Sequence, residues 1–176
     1  KNDIFFNTDG CRMCSIIGNP KAFQQGTRYI DRDLNRSFLD EYLTDSNQKD
    51  YEVFRAREIL SLYGPGGACP SQIVIDLHST TSSMGTCLVV YGRRPPDLAL
   101  ASLVQARLGL PVYLHEGDSM QRGFLVESWP CGLVIEVGPV PQGVIQRKII
   151  NQTGLALRIC FEEIAKIRLG KIKFPE

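Results

Sequence analysis

The run Asp76-Leu77-His78-Ser79-Thr80-Thr81 carries an apolar stretch straight into a histidine and a cluster of hydroxyls. Side chains alternate along a strand, so Asp76 and His78 point to the same side. A carboxylate beside a metal-binding imidazole holds the ring in one tautomer and raises its basicity. The same letters also suit a satisfied core histidine followed by a Ser/Thr run that caps a helix. A second group lies between Arg28 and Arg36, where Arg28, Arg32 and Arg36 stand among Asp31, Asp33 and Asn35. Guanidinium forks bind carboxylates bidentately and an Asn adds a donor or an acceptor, so converging arginines could grip an acidic ligand. The alternative is a solvated loop of local ion pairs, each contributing little. The third candidate is Glu136, in Gly132-Leu133-Val134-Ile135-Glu136-Val137-Gly138-Pro139. A carboxylate amid Leu, Val and Ile is costly to bury unless it is paired or protonated. Such a group suits proton transfer near neutral pH. If the strand ends before Glu136, its side chain simply reaches water.

Other features carry less. His115-Glu116 reads as a surface pair after a strand, and Arg93-Arg94 as a solvated turn. Trp129-Pro130 reads as packing. Gly64-Pro65-Gly66-Gly67 has no Lys-Ser/Thr after it and is not a phosphate loop. Cys11 and Cys14 form a C-x-x-C, but no second pair completes a four-thiolate zinc site. The other four, Cys69, Cys87, Cys131 and Cys160, read as small buried hydrophobes in a reduced compartment.

Short apolar strands and amphipathic helices must position these groups. Strands are expected at Met13 to Ile17, Ile73 to Leu77, Thr86 to Tyr91, Pro111 to Leu114 and Leu133 to Val137. Tyr51 to Tyr63 is expected to be a helix, with Val53, Phe54, Ala56, Ile59, Leu60 and Leu62 on its apolar side. Its wet side would carry Glu52, Arg55, Arg57 and Glu58, and the glycines after Tyr63 would stop it. Further helices are expected at Ser37 to Leu43, Asp97 to Leu108 and Ile145 to Leu169, whereas residues 21–36 read as a loop. Strands alternating with helices argue for an α/β layer fold with a largely buried sheet. Such folds place chemistry at the carboxyl ends of strands.

At 176 residues the chain is long enough for one domain with a real core. Its 20 Lys and Arg balance its 19 Asp and Glu, which gives no electrostatic reason to expect nucleic acid or an anionic membrane as partner. No signal peptide and no membrane-spanning apolar run is visible, so a cytoplasmic location is the default expectation. A homo-oligomer is compatible with the sequence.

Taken in order, the motifs resemble those of the aspartoacylase and succinylglutamate desuccinylase family. Gly18-Asn19-Pro20-Lys21-Ala22, then Arg28-Tyr29-Ile30-Asp31 leading to Asp33-Leu34-Asn35-Arg36, resembles the family's substrate loop. Asp76-Leu77-His78 with Thr80-Thr81 and Met84-Gly85 resembles its third zinc-ligand motif. Ile135-Glu136-Val137-Gly138-Pro139 followed by Gln142-Gly143-Val144 resembles its catalytic glutamate motif. The resemblance runs from about Gly18 to Pro175. Tyr91-Gly92-Arg93-Arg94-Pro95 and Val126-Glu127-Ser128-Trp129-Pro130 are similar to the bacterial, cyanobacterial-like branch.

The resemblance implies a zinc carboxypeptidase-like mixed sheet flanked by helices. It also implies hydrolysis of small acidic N-acyl amino acids such as N-acetylaspartate, with one zinc ion per complete subunit. His78 matches a zinc ligand, Glu136 the glutamate that activates water, and Arg28, Asn35 and Arg36 the residues that grip substrate. An ungapped reading puts Arg122 and Val126 at the family's substrate-binding tyrosine and arginine, and Arg122 is the candidate substitute. No His-Gly-Asn-Glu, which carries the family's other two zinc ligands, occurs in the sequence. The expectation is therefore a chain truncated at both ends. Residues 1–17 would be an irregular segment and 18–176 a partial catalytic domain, without the family's first strands and its C-terminal β-rich domain. A non-enzymatic module that binds acidic metabolites without zinc, and a related zinc exopeptidase, are the competing expectations.

Overall fold

Local turn chemistry and periodicity delimit most elements of the computed structural model, which describes residues 4–8 (backbone only), 11–116, 121–141 and 143–172. Gln142 and Pro175, named above, lie outside the described residues. Two compact units are distinguished. One holds 4–7, 12–73 and 121–130; the other holds 8, 11, 74–116, 131–141 and 143–172.

Strands β1 (Ile4–Thr8) and β2 (Cys11–Ser15) pair in a two-stranded sheet. The segment 1–17 is thus not irregular throughout: Ile4-Phe5-Phe6 supplies strand-forming residues that pair with the Cys11–Ser15 run. The expected loop at 21–36 begins with a helix, α1 (Pro20–Gln25). Its bounds are local chemistry: Asn19 Oδ1 accepts the Ala22 amide at 3.0 Å, Pro20 stands in the first turn, and Gly26 closes the helix at φ 67°. A 3-10 turn (Leu34–Arg36) closes the same expected loop, and helix α2 (Asp40–Thr44) follows where a short helix was expected over Ser37 to Leu43.

Helix α3 (Tyr51–Tyr63) has the bounds the sequence predicts, but not the predicted faces. Val53, Ala56 and Ile59 are buried as expected, yet Glu52 is fully buried and Phe54 is 52% exposed. Arg55 and Arg57 turn onto backbone rather than into water. Arg55 donates to the Gly18 and Ile17 carbonyls, and Arg57 to those of Tyr42, Leu43 and Asp45. Carbonyls with no helix or sheet partner need donors, and the two guanidinium forks supply them. Trp129 packs as expected: it is buried, and its indole donates to the Tyr63 carbonyl and to Ser71 Oγ at 2.8 Å.

The second unit is built on a four-stranded mixed sheet in the order β3-β6-β4-β5: β3 (Ile73–Ser79), β4 (Cys87–Tyr91), β5 (Val112–His115) and β6 (Cys131–Val137). β4 runs parallel to β5, with Leu88 opposite Val112, and antiparallel to β6, with Cys87 opposite Glu136. The continuous apolar runs of β4 and β6 are buried on both faces, as interior strands covered by helices should be. Helices α4 (Pro95–Leu108) and α5 (Arg147–Arg168) pack on the sheet and on each other. Leu100, Val104, Ile159 and Cys160 are buried, and burying an aliphatic side chain of this size contributes roughly 1.5–3 kcal/mol. Buried Asp97 joins α4 to the start of β6 by accepting the Gly132 amide at 2.8 Å while pairing with Arg94. Buried Glu163 of α5 takes Arg107 of α4 and its own neighbour Lys166. Among the described residues no helix is long and apolar enough to cross a membrane. Cys87, Cys131 and Cys160 are buried, as the reading expected, whereas Cys69 is half-buried; of the C-x-x-C pair, Cys11 is buried and Cys14 exposed.

Candidate functional site

Strand β3 runs through Ser79, so Asp76 and His78 lie within it, two residues apart and on one side. The pairing of β3 with β6 then decides the site. β6 continues past Ile135 to Val137, so Glu136 stays in the sheet rather than beyond its end, with its side chain 22% exposed. The outcome is a row of three groups. His78 Nε2 lies 3.0 Å from Asp76 Oδ2, and His78 Nδ1 lies 3.5 Å from Glu136 Oε1. Burial disfavours a charged ring, but hydrogen bonds to Asp76 and Glu136 and their negative charges outweigh it, raising the imidazole to about 10. The row is held at its far end by backbone: the Thr80 amide donates to the Val137 carbonyl and the Val140 amide to the Thr80 carbonyl, both at 2.9 Å. Gly138 permits this approach, because a Cβ there would stand 2.8 Å from Thr80 Cγ2. Cys87, opposite Glu136 in the ladder, has its thiol pushed up by burial and by that carboxylate, which leaves it an inert neighbour.

The arginine loop belongs to the first unit. Arg28 pairs with Asp33 at 2.7 Å and is 75% exposed. Arg32 is turned aside, pairing with Asp50 at 2.7 Å and lying 4.2 Å over the Tyr42 ring. Arg36 donates to the Asn35 carbonyl and stacks 4.1 Å over the ring of Phe124. Asn35 is buried, and its Oδ1 accepts the Leu125 amide at 2.9 Å. The segment 121–125 therefore joins Asn35 and Arg36. Arg122, on that segment, lines an open cavity of about 460 Å³ with Asp40, Gly123 and Glu127. Val126, which stands at the position of the family's arginine in the ungapped reading, is buried.

Three residues escaped the sequence reading. Glu52 takes four N–H donors with its buried carboxylate. Phe124 seats Arg36. Glu127 Oε2 accepts the amides of Gly123 and Phe124 at 3.0 and 2.9 Å and fixes the turn that carries Arg122. Only Glu127 had a local signal, an acid three residues after the start of a short helical turn. Of the weaker features, Glu116 is paired with Arg93, whereas the expected surface pair was His115 with Glu116, and Arg94 pairs with buried Asp97 rather than lying in a solvated turn.

A catalytic zinc takes three protein ligands and keeps a position open. His78, with Nε2 committed to Asp76, leaves Nδ1 as one possible ligand atom. Among the described residues no three His, Cys, Asp or Glu side chains gather to hold a metal ion. His78 is thus the one imidazole in the row with Asp76 and Glu136, and it does not by itself fit a zinc site.

Comparison with known proteins gives one consistent result. The family model described as Succinylglutamate desuccinylase/Aspartoacylase catalytic domain matches residues 5–164, reaching further forward than the motifs alone. A probable aspartoacylase of Prochlorococcus marinus is 58% identical over 100% of this chain and 57% of its own length. One from Parasynechococcus marenigrum is 55% identical over 94% of this chain and 54% of its own length. Murine aminoacylase 3 superposes with a TM-score of 0.72 and 31% identity over 86% of this chain and 52% of that one. The succinylglutamate desuccinylase from Chromobacterium violaceum, at 22% identity and a TM-score of 0.61, shares the fold. The chain spans about half the length of the curated relatives it matches.

Proposed function

This chain belongs to the succinylglutamate desuccinylase/aspartoacylase catalytic-domain family, and from that premise we propose that it forms part of a zinc-dependent amidohydrolase that cleaves small acidic N-acyl amino acids such as N-acetylaspartate. The observation that carries the reading is the row Asp76, His78, Glu136 across neighbouring strands, with its 3.0 and 3.5 Å spacings. In this reading Asp76 fixes the His78 ring through Nε2. Glu136, in a mostly apolar strand, takes a proton at Oε1 from the attacking water and hands it to the leaving amine. Arg28 and Arg36, steadied by Asn35 and flanked by Arg122, neutralise the carboxylates of the substrate. Zinc would supply carbonyl polarisation and an acidified water. His78 would be one of its three protein ligands, and no group of three candidate ligands gathers among the described residues. A cytoplasmic location and a soluble small-molecule substrate belong to the same reading.

A second reading is favoured by that ligand count: a module that binds acidic metabolites through its arginines without holding zinc. Two measurements on the purified chain separate the readings, zinc stoichiometry and amine release from N-acetylaspartate against small peptides. Tightly held zinc at one per chain, with preferential release from N-acetylaspartate, would support the hydrolase reading. Preference for peptides would replace the deacylase with an exopeptidase. Absence of both zinc and turnover, with N-acetylaspartate still bound, would leave the binding module.

A further inference from the structure

Glu52 is the most fully enclosed acid of the first unit, with no exposed surface, yet no cation accompanies it among its hydrogen-bond partners. Its charge is met by four N–H groups. Oε1 accepts Ile30 N at 2.6 Å and Asn19 Nδ2 at 2.8 Å; Oε2 accepts Asp31 N at 3.1 Å and Arg32 N at 3.2 Å. Three consecutive amides that converge on one carboxylate form a backbone nest, the arrangement that elsewhere binds a free anion. Here the nest is filled from within, by a side chain of α3. The clasp is reciprocal: Asp31 Oδ2 accepts the Tyr51 amide at 2.8 Å, at the start of the same helix. Asp50, which precedes that helix, gives no cap hydrogen bond and pairs with Arg32 instead.

We infer that Glu52 is a positioning residue: its carboxylate fixes the backbone of residues 30–32, and through it the placement of Arg28 and Arg36 for an acidic ligand. This rests on the proposed role of those arginines. A neutral filler would serve packing equally well, but only an ionised carboxylate accepts from all four donors at once. The segment between Arg28 and Arg36 has no α-helix or sheet ladder to hold it, only the short turn at Leu34–Arg36. Its geometry therefore depends on such clasps. Small misplacements of a substrate-holding group are costly, on the order of a hundredfold for about 1 Å.

The test is calorimetric binding of N-acetylaspartate to the chain and to Glu52→Gln, Glu52→Asp, Asn19→Asp, Arg36→Ala and Val53→Ala, with amide exchange at residues 30–32. Glu52→Gln keeps the shape but turns one acceptor into a donor that faces N–H groups. It is expected to raise Kd about tenfold or more and to speed exchange at 30–32. Glu52→Asp recovers part of the binding. Asn19→Asp keeps the α1 cap but sets a second carboxylate against Glu52, and gives a milder loss should Glu52→Gln not fold. Val53→Ala, one residue away in the core, loses stability but keeps Kd within about twofold, which a merely structural role for Glu52 would not distinguish. Wild-type Kd in Glu52→Gln and in Asn19→Asp, or an equal loss in Val53→Ala, overturns the inference while Arg36→Ala still abolishes binding. If the unaltered chain does not bind N-acetylaspartate, the acid-binding reading falls and the inference falls with it.

Discussion

Glu136 and His78 face each other because their strands are neighbours in one sheet, although His78 stands on β3 and Glu136 on β6. Under the proposed chemistry the carboxylate moves protons while the imidazole stays committed to Asp76. Glu136→Gln removes the base but keeps volume and strand register. It is expected to lower kcat for N-acetylaspartate by about 10²–10⁴-fold with little change in KM, a split read from initial-rate amine release. An equal rise in KM with unchanged kcat would move Glu136 from proton transfer to binding. The sequence exposed this residue because an acid within Leu, Val and Ile is conspicuous. Glu52 was hidden for the opposite reason: on a helix with charged neighbours, an acid reads as solvated, and the donors that bury it come from residues 19 and 30–32.

At the level of elements, α3 organises the first unit by polar contacts as much as by its apolar side. Glu52 holds the arginine loop, Arg55 the approach to α1, and Arg57 the end of α2. Burial alone would raise the Glu52 carboxyl, but the donors of Ile30, Asp31, Asn19 and Arg32 prevail and hold it below its ordinary value of 4.5. The unfolded chain then binds this proton more readily than the folded one. The stabilisation is complete above the ordinary glutamate value and is lost as pH falls through the lowered folded value. Urea midpoints should therefore fall steeply below about pH 4.5, and Glu52→Gln should flatten that slope. Glu163, also lowered against its burial by Lys166 and Arg107, contributes in the same direction, so some slope remains. An unchanged slope in Glu52→Gln would contradict the account.

For the whole molecule, the sheet order leaves β3 and β5 outermost among the described strands. No residue of β3 is fully buried, and Leu77 is 43% exposed. On and before α5, Ile145, Ile150 and Leu155 are 85%, 57% and 43% exposed. An outermost strand beside exposed aliphatic side chains favours association. Sedimentation velocity of this chain should show weight-average mass rising with concentration; a single monomeric species across a hundredfold concentration range would rule that out.

The sequence by itself determined the class of fold, the bounds of α3, those of every strand but β1 to within two residues, and the letters of the three chemical motifs. Helix periodicity, strand alternation and Gly/Pro punctuation are local, and they act within a turn or a strand. It also held the signal for α1, in Asn19-Pro20 and Gly26, which the many charges of 21–36 obscured. Tertiary structure alone decided that β3 lies beside β6, bringing His78 to Glu136. It also decided that residues 121–130 join the arginine loop rather than the strands on either side of them, and that Glu52 is buried. Each of these depends on hydrogen-bond partners supplied by distant segments. A buried charge is tolerable only where such partners converge, and no periodicity along the chain encodes that convergence.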